Sequence, residues 1–173
     1  LMNLLLSGPP RVGKTTTCRM IMDRANRDIS GFVTEDIRHE GERGGFMVEF
    51  DTGESRVLSH VDFEGSDVPT VGKYGVDLET MEWVLGKMED WQYDDSDLYI
   101  IDEIGKMELK HEDFPEEVET LLDASEDVLA TIPETGPEFV DDVRLRDDIR
   151  EAVLTEENRE AVLEKIVDLL DLE

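Results

Sequence analysis

The chain has one cysteine, no long apolar run and far fewer basic than acidic side chains. With Cys18 alone, an internal disulfide and a cysteine-built zinc site are both excluded. That thiol falls on the apolar stripe of a predicted helix, so it is expected to be a core group and not a reactive one. No apolar stretch approaches the roughly 18–20 residues that a membrane span needs. Lys and Arg number 17 against 45 Asp and Glu, a formal net charge of −28. Such a surface repels nucleic acid and anionic membrane, so neither is expected as a main partner. His39, His60 and His111 share no metal-ligand spacing along the chain and carry no assigned role. A cytoplasmic protein is expected.

The charge is unevenly spread. Residues 1–30 hold Arg11, Lys14, Arg19, Arg24 and Arg27 against only Asp23 and Asp28, so one basic island precedes a strongly acidic remainder. A polyphosphate ligand would need that island, because the rest of the surface opposes its approach. The acids are dispersed through amphipathic segments, which points to a solvated acidic surface and not to a disordered tail. With 11 Arg against 6 Lys, the composition suggests a high-salt cytoplasm, where repulsion between carboxylates is screened within a few ångströms.

The island contains Gly8-Pro9-Pro10-Arg11-Val12-Gly13-Lys14-Thr15, a match to G-x-x-x-x-G-K-[ST], the phosphate-binding P-loop. The apolar stretch 1–6 precedes it, without a basic flank or cleavage site, and reads as a core strand. Met2 stands second, so a residue or two is expected before Leu1. After the loop, Cys18, Ile21, Met22 and Ala25 recur at helical spacing. Strand, glycine loop and helix bring backbone N–H groups and a helix N-terminus around one point, which attracts an anion. Lys14 would reach the β- and γ-phosphates, and Thr15 would hold a Mg2+ ion that bridges them.

Residues 1–173 read as one domain. Strands are expected at 29–34, 45–50 and 55–58, with turns at 41–44 and 51–54, giving antiparallel hairpin elements at about 31–60. Residues 61–76 read as irregular. Asp77 is placed to cap a helix with Leu78, Met81, Val84, Leu85 and Met88 on one stripe. The run Leu98-Tyr99-Ile100-Ile101 suits a central strand buried on both faces. A helix with Phe114, Val118, Leu121 and Leu122 follows, then a strand at 127–132, a short helix near 137–147, a strand at 151–154 and a closing helix at 156–171. Alternating strands and helices give a three-layer α/β fold with a mostly parallel sheet.

A P-loop needs an acid at the end of a neighbouring buried strand, and Leu98-Tyr99-Ile100-Ile101 runs into Asp102-Glu103. Asp102 would orient the magnesium shell, and Glu103 would align or deprotonate the attacking water. Asp102-Glu103-Ile104-Gly105 also matches the D-x-x-G of regulatory GTPases, but the guanine-reading N-K-x-D segment is absent, so nothing specifies guanine. Thr131, at a strand end beside the first strand, either senses the γ-phosphate or is an ordinary surface threonine. Arg144 and Arg146 either supply charge to the transition state or balance the nearby aspartates.

Five segments resemble the small archaeal and bacterial nucleoside-triphosphatases related to the cancer-related nucleoside triphosphatase. They are residues 8–15, the glycine-rich 41–46, V-G-K-Y-G-V-D at 71–77, I-D-E-I-G-K-M-E-L at 101–109 and T-E-E-N-R at 155–159. The resemblance implies a RecA-like P-loop NTPase fold with added antiparallel strands. It also implies Mg2+-dependent hydrolysis of ATP, GTP, CTP and UTP with weak selectivity for the base. Nucleotide binding is carried onto residues 8–15 and onto Leu98, Tyr99, Ile100, Ile101, Asp102, Glu103, Ile104 and Gly105. Lys106 and Glu108 stand at hallmark positions. Glu108 is either a second water-positioning acid or a brace for its loop.

Two rivals share this scaffold. A small-molecule or nucleotide kinase would need an arginine-rich lid, and between 103 and 143 the only basic groups are Lys106, Lys110 and His111. A nucleotide-binding switch subunit would not need the Asp102-Glu103 pair.

Overall fold

The computed structural model describes residues 2–173; Leu1, the first residue of the opening apolar stretch, lies outside them. Strand β1 (Asn3–Gly8) leads through the glycine loop into α1 (Lys14–Arg24). Strands β2 (Ile29–His39), β3 (Glu42–Phe50) and β4 (Ser55–His60) follow as an antiparallel set. Short β5 (Thr70–Val71) and β6 (Tyr74–Val76) come next, then α2 (Leu78–Asp90) and β7 (Leu98–Ile101). The chain closes with α3 (Phe114–Asp123), β8 (Asp127–Pro133), α4 (Glu138–Arg144), β9 (Ile149–Val153) and α5 (Arg159–Leu169).

Among the described residues, nine strands form one sheet in the order β5-β6-β4-β3-β2-β7-β8-β1-β9. The half from β2 to β9 is parallel, and β3, β4, β6 and β5 extend it with antiparallel pairings. This is the α/β architecture expected. Side chains alternate between two cores. Tyr99 and Ile101 of β7 face α2, α3 and α4, while Leu98 and Ile100 face α1 and α5. Cys18 and Ile21 of α1 are fully buried in that second core. Each such aliphatic side chain contributes roughly 1.5–3 kcal/mol on burial, so the parallel strands around the loop form a stiff platform. Asp77 caps α2 by accepting from the Glu79 amide at 2.9 Å.

The structure corrects several expected boundaries. Residues 61–76 are not wholly irregular, because β5 and β6 lie within them; strands of two and three residues are too short to leave a periodic signal. The turn expected at 41–44 is largely strand, with β3 beginning at Glu42. Strand β2 runs beyond Thr34 to His39, because Glu35 and Asp36 face an open cleft and break the apolar alternation. The closing helix starts at Arg159, since Asn158 closes a turn by accepting from the Thr155 amide and donating to the Val153 carbonyl. Strand β7 does not neighbour β1, for β8 lies between them.

Candidate active site

The loop between β1 and α1 is tight because it has no side chain at Gly8. A Cβ there would lie 2.8 Å from the Leu154 carbonyl oxygen and 2.9 Å from Val12 Cγ1. Gly13, at φ 113°, turns the chain into α1 through a backbone conformation that a larger residue would adopt only under strain. The first N–H groups of α1 then point into the loop, where an anion would satisfy them. Lys14 Nζ donates to the carbonyl oxygens of Gly8 at 2.9 Å and Ile132 at 3.1 Å, and pairs with Glu103 Oε2 at 3.2 Å. The ammonium thus sits across the ends of β1 and β8 and the turn after β7.

Asp102, at the end of β7, is 2% exposed and fully hydrogen-bonded. Its Oδ2 accepts from the Thr15 hydroxyl at 2.6 Å and the Thr34 amide at 3.3 Å, and its Oδ1 accepts from the Thr131 hydroxyl at 2.5 Å. Burial pushes the Asp102 carboxyl up to about 6; the Thr131 and Thr15 hydroxyls oppose the rise and the Glu103 carboxylate adds to it. Thr131 is therefore no surface threonine: it is buried and holds this acid. Lys14, Thr15, Asp102, Glu103 and Thr131 converge from the ends of two strands, β7 and β8, and the start of α1.

Comparison with known proteins shows the family and the fold. The family model described as NTPase matches residues 3–167. Relatives include the nucleoside-triphosphatase THEP1 of Thermotoga sp. strain RQ2, 37% identical, with 98% of this chain and 95% of that protein covered. The THEP1 of Archaeoglobus fulgidus is 35% identical, at 98% and 99% coverage. The chain belongs to this NTPase family. Among solved structures, THEP1 from Aquifex aeolicus superposes with a TM-score of 0.86 at 33% identity, covering 98% of this chain and 99% of that one. The human cancer-related nucleoside triphosphatase gives 0.81 at 33% identity, with 98% and 97% covered.

A cleft of about 800 Å³ opens over these groups. Pro10, Arg11, Gly13, Lys14, Thr15, Asp102 and Glu103 line it; Gly8, Pro9, Val12, Ile104 and Gly105 do not. Leu98, Tyr99, Ile100 and Ile101 do not line it either. They are buried strand residues that deliver Asp102 and Glu103 to the cleft. Glu108 does line it, although only 4% exposed. Burial, and next the Glu103 carboxylate, pushes its carboxyl up to about 8, against backbone amides that hold it down. Gly105 makes room for both acids: a Cβ there would meet Glu103 Oε1 at 2.7 Å and Glu108 Oε1 at 3.0 Å.

Arg38, Arg43, Phe46, Val71, Lys106 and Met107 line the far end of the cleft, brought there by β2, β3, β5 and the turn after β7. That these residues share one end of the cleft was not legible in the sequence, although all but Arg38 fall in segments that carry the family resemblance. Arg43 pairs with Asp36 at 2.9 Å and lies over the Phe46 ring, while its buried Nε has no hydrogen-bond partner. The glycine-rich 41–46 segment was the available signal, but its reach into the cleft depends on strand pairing. Across the loop a smaller groove of about 260 Å³ runs beside Thr16, Met20, Arg159 and Leu163. Arg159 Nε donates to the Val12 carbonyl at 2.7 Å. Arg144 and Arg146 are engaged elsewhere. Arg144 holds the Pro133 and Glu134 carbonyls and Glu151, and Arg146 holds Asp123 and Asp148.

Proposed function

We propose that this protein hydrolyses nucleoside 5′-triphosphates to the diphosphate and phosphate, with magnesium and with little discrimination among bases. The observation that carries this is the convergence of Lys14, Thr15, Asp102 and Glu103 at one end of an open cleft. In this reading the N–H groups at the start of α1 hold the β-phosphate, and Lys14 exchanges its carbonyl partners for the β- and γ-phosphate oxygens. Glu103, released from Lys14 by that exchange, positions the attacking water and takes its proton. Thr131 keeps Asp102 oriented.

The residues fit magnesium. Thr15 Oγ1 and Asp102 Oδ2 lie 2.6 Å apart, both are hard oxygen donors, and no imidazole or thiolate joins them. When bound, the ion supplies positive charge to the β- and γ-phosphates. A cation beside Asp102 would also favour its ionised form and offset the effect of burial.

The nucleoside is left to the groove beside Thr16, where Met20 and Leu163 offer apolar surface and Arg159 is already held by Val12. Contacts of that kind separate bases poorly, which supports broad specificity. Among the described residues no helix is long and apolar enough to cross a membrane. The triphosphate substrate and the buried lone thiol suit a cytoplasmic protein.

The test is phosphate release from ATP with no second substrate present. Lys14→Ala should abolish it and weaken nucleotide binding while the fold survives, because the lysine faces the cleft. A variant as active as the wild type would remove the assignment of this site. One observation favours a second reading. Arg38, Arg43 and Lys106 put cationic groups at the far end of the cleft, where a kinase would hold an anionic acceptor. A kinase would release little phosphate until that acceptor is supplied.

A further inference from the structure

Two of the three histidines, far apart in sequence, meet at the outer end of the antiparallel strands. His39 closes β2 and His60 closes β4, and their rings lie edge to face with centroids 5.2 Å apart. Asp62 follows in the turn beyond β4, with Oδ2 at 3.6 Å from Nδ1 of His60. One ligand atom from each of the three falls within 4.8 Å of the others. The fold thus brings together residues that share no metal-ligand spacing along the chain.

Strand β3 lies between β2 and β4, which would ordinarily hold their side chains two strand spacings apart, about 9–10 Å. Two irregularities close that gap. The β2–β3 register shifts between Ile37 and Arg38, and the β3–β4 register shifts between Phe46 and Met47. Bulges of this kind bend a strand and re-aim its side chains. In addition, β3 carries no side chain at the crossing. A Cβ on Gly44 would lie 2.3 Å from His39 Cβ, and one on Gly45 would lie 2.1 Å from the Ser59 carbonyl oxygen. The histidines meet over a backbone cleared for them.

We propose that His39, His60 and Asp62 bind a divalent transition-metal ion of the zinc type, at a site separate from Thr15 and Asp102. Two imidazoles and a carboxylate are a three-ligand set that leaves one position open, and imidazole favours zinc or cobalt over magnesium. Ligand atoms at about 2.0–2.2 Å from a tetrahedral ion lie about 3.4 Å apart, close to the 3.6 Å already separating His60 from Asp62. His39 then needs to approach by about an ångström, a rotamer-scale adjustment. The Asp62 amide donates to His60 Nδ1 at 3.1 Å, so that nitrogen carries a lone pair and not the ring proton. On binding, that lone pair passes to the ion and the exposed amide to water. The ion would cross-link β2 to β4 beside Arg38 and Arg43, stiffening one wall of the cleft in a protein without disulfides.

Cobalt(II) is the probe, because its visible absorption reports imidazole ligation. Chelator-treated protein is titrated in molar KCl with excess magnesium, which occupies the exposed carboxylates and the oxygen site. One equivalent of cobalt should bind with a visible band, and zinc should displace it. His39→Gln and His60→Gln should each weaken binding by more than about tenfold, and Asp62→Asn by less, since a carboxamide oxygen still ligates weakly. Asp62 is exposed, so its variant tests the site even where a histidine variant misfolds. Zinc should raise the melting temperature of the wild type, raise that of Asp62→Asn by less, and leave those of the two histidine variants unmoved. Magnesium-dependent phosphate release by the metal-free variants should match the wild type, which separates this site from the hydrolase reading. No band in the wild type overturns the proposal, as does a band that survives both histidine changes or vanishes only with His111→Gln.

Discussion

Replacing Glu108 by glutamine should stabilise the fold, and by more as the pH rises. The carboxyl is buried at the start of a 3-10 turn, beside Gly105 and within reach of Glu103, and is held up to about 8. In the unfolded chain it returns to an ordinary glutamate value near 4.3. Between those two values the folded protein keeps a proton that the unfolded chain has lost. The unfolded state therefore binds fewer protons, and stability falls as pH rises through this window. The contribution is fully present below about pH 4 and gone above about pH 8. At about 1.36 kcal/mol per pH unit, the interval sets a ceiling on the order of 5 kcal/mol. Water in the open cleft screens part of this, so ~2 kcal/mol is the expected gain at pH 9. For a chain of this length that corresponds to about 4–8 °C in melting temperature.

Glutamine suits the test because its amide oxygen can accept from the same backbone groups while carrying no charge. Melting of wild type and variant is compared at pH 5, 7 and 9 in a chelator, so that no cation enters the cleft. The two curves should nearly coincide at pH 5 and separate progressively above it. Asp102 also titrates in this range in both proteins, and its charge contributes to the rise at Glu108, so the difference reports Glu108 together with that coupling. A variant no more stable than the wild type at pH 9, or a gap that ignores pH, would refute the reasoning.

Three further outcomes are expected. Glu103→Gln should lower kcat by about 10²–10⁴-fold with near-normal ATP binding, whereas Asp102→Asn should raise the magnesium requirement and recover partly with manganese; the reverse pattern in steady-state kinetics would exchange the two roles. ATP, GTP, CTP and UTP should show kcat/KM values within about two orders of magnitude, and a ten-thousandfold preference for one base would reveal a recognition pocket outside the Thr16 groove. The melting temperature should rise from dilute buffer to molar KCl. Arg19, Arg24, Arg27 and Arg146 each already bridge two acids, yet 45 acidic groups face only 17 basic ones; a flat curve would mean that spacing alone relieves the repulsion.

What the sequence made legible follows the range of the interactions involved. The phosphate loop is local: Gly8, Gly13, Lys14 and Thr15 lie within one turn and a strand end, so their types and spacing describe the geometry almost directly. Asp102 and Glu103 are readable for a related reason. The buried run before them fixes a central strand, and only its C-terminal end can reach the loop. Thr131 was ambiguous because its role depends on β8 lying between β7 and β1, an order that no residue pattern states. Arg38, Arg43 and Phe46 were beyond reach for the same reason in a stronger form. Their side chains enter the cleft only in one register of β2 against β3, and that register shifts within the pairing itself. A slip of one residue would turn Arg43 and Phe46 to the opposite face. The two bulges that would reset this register also bring His39 to His60, so the cleft wall and the histidine pair are set by the same geometry. A substitution that straightens either bulge should therefore disturb both together, and one that spares the bulges, such as Asp62→Asn, should leave the cleft intact.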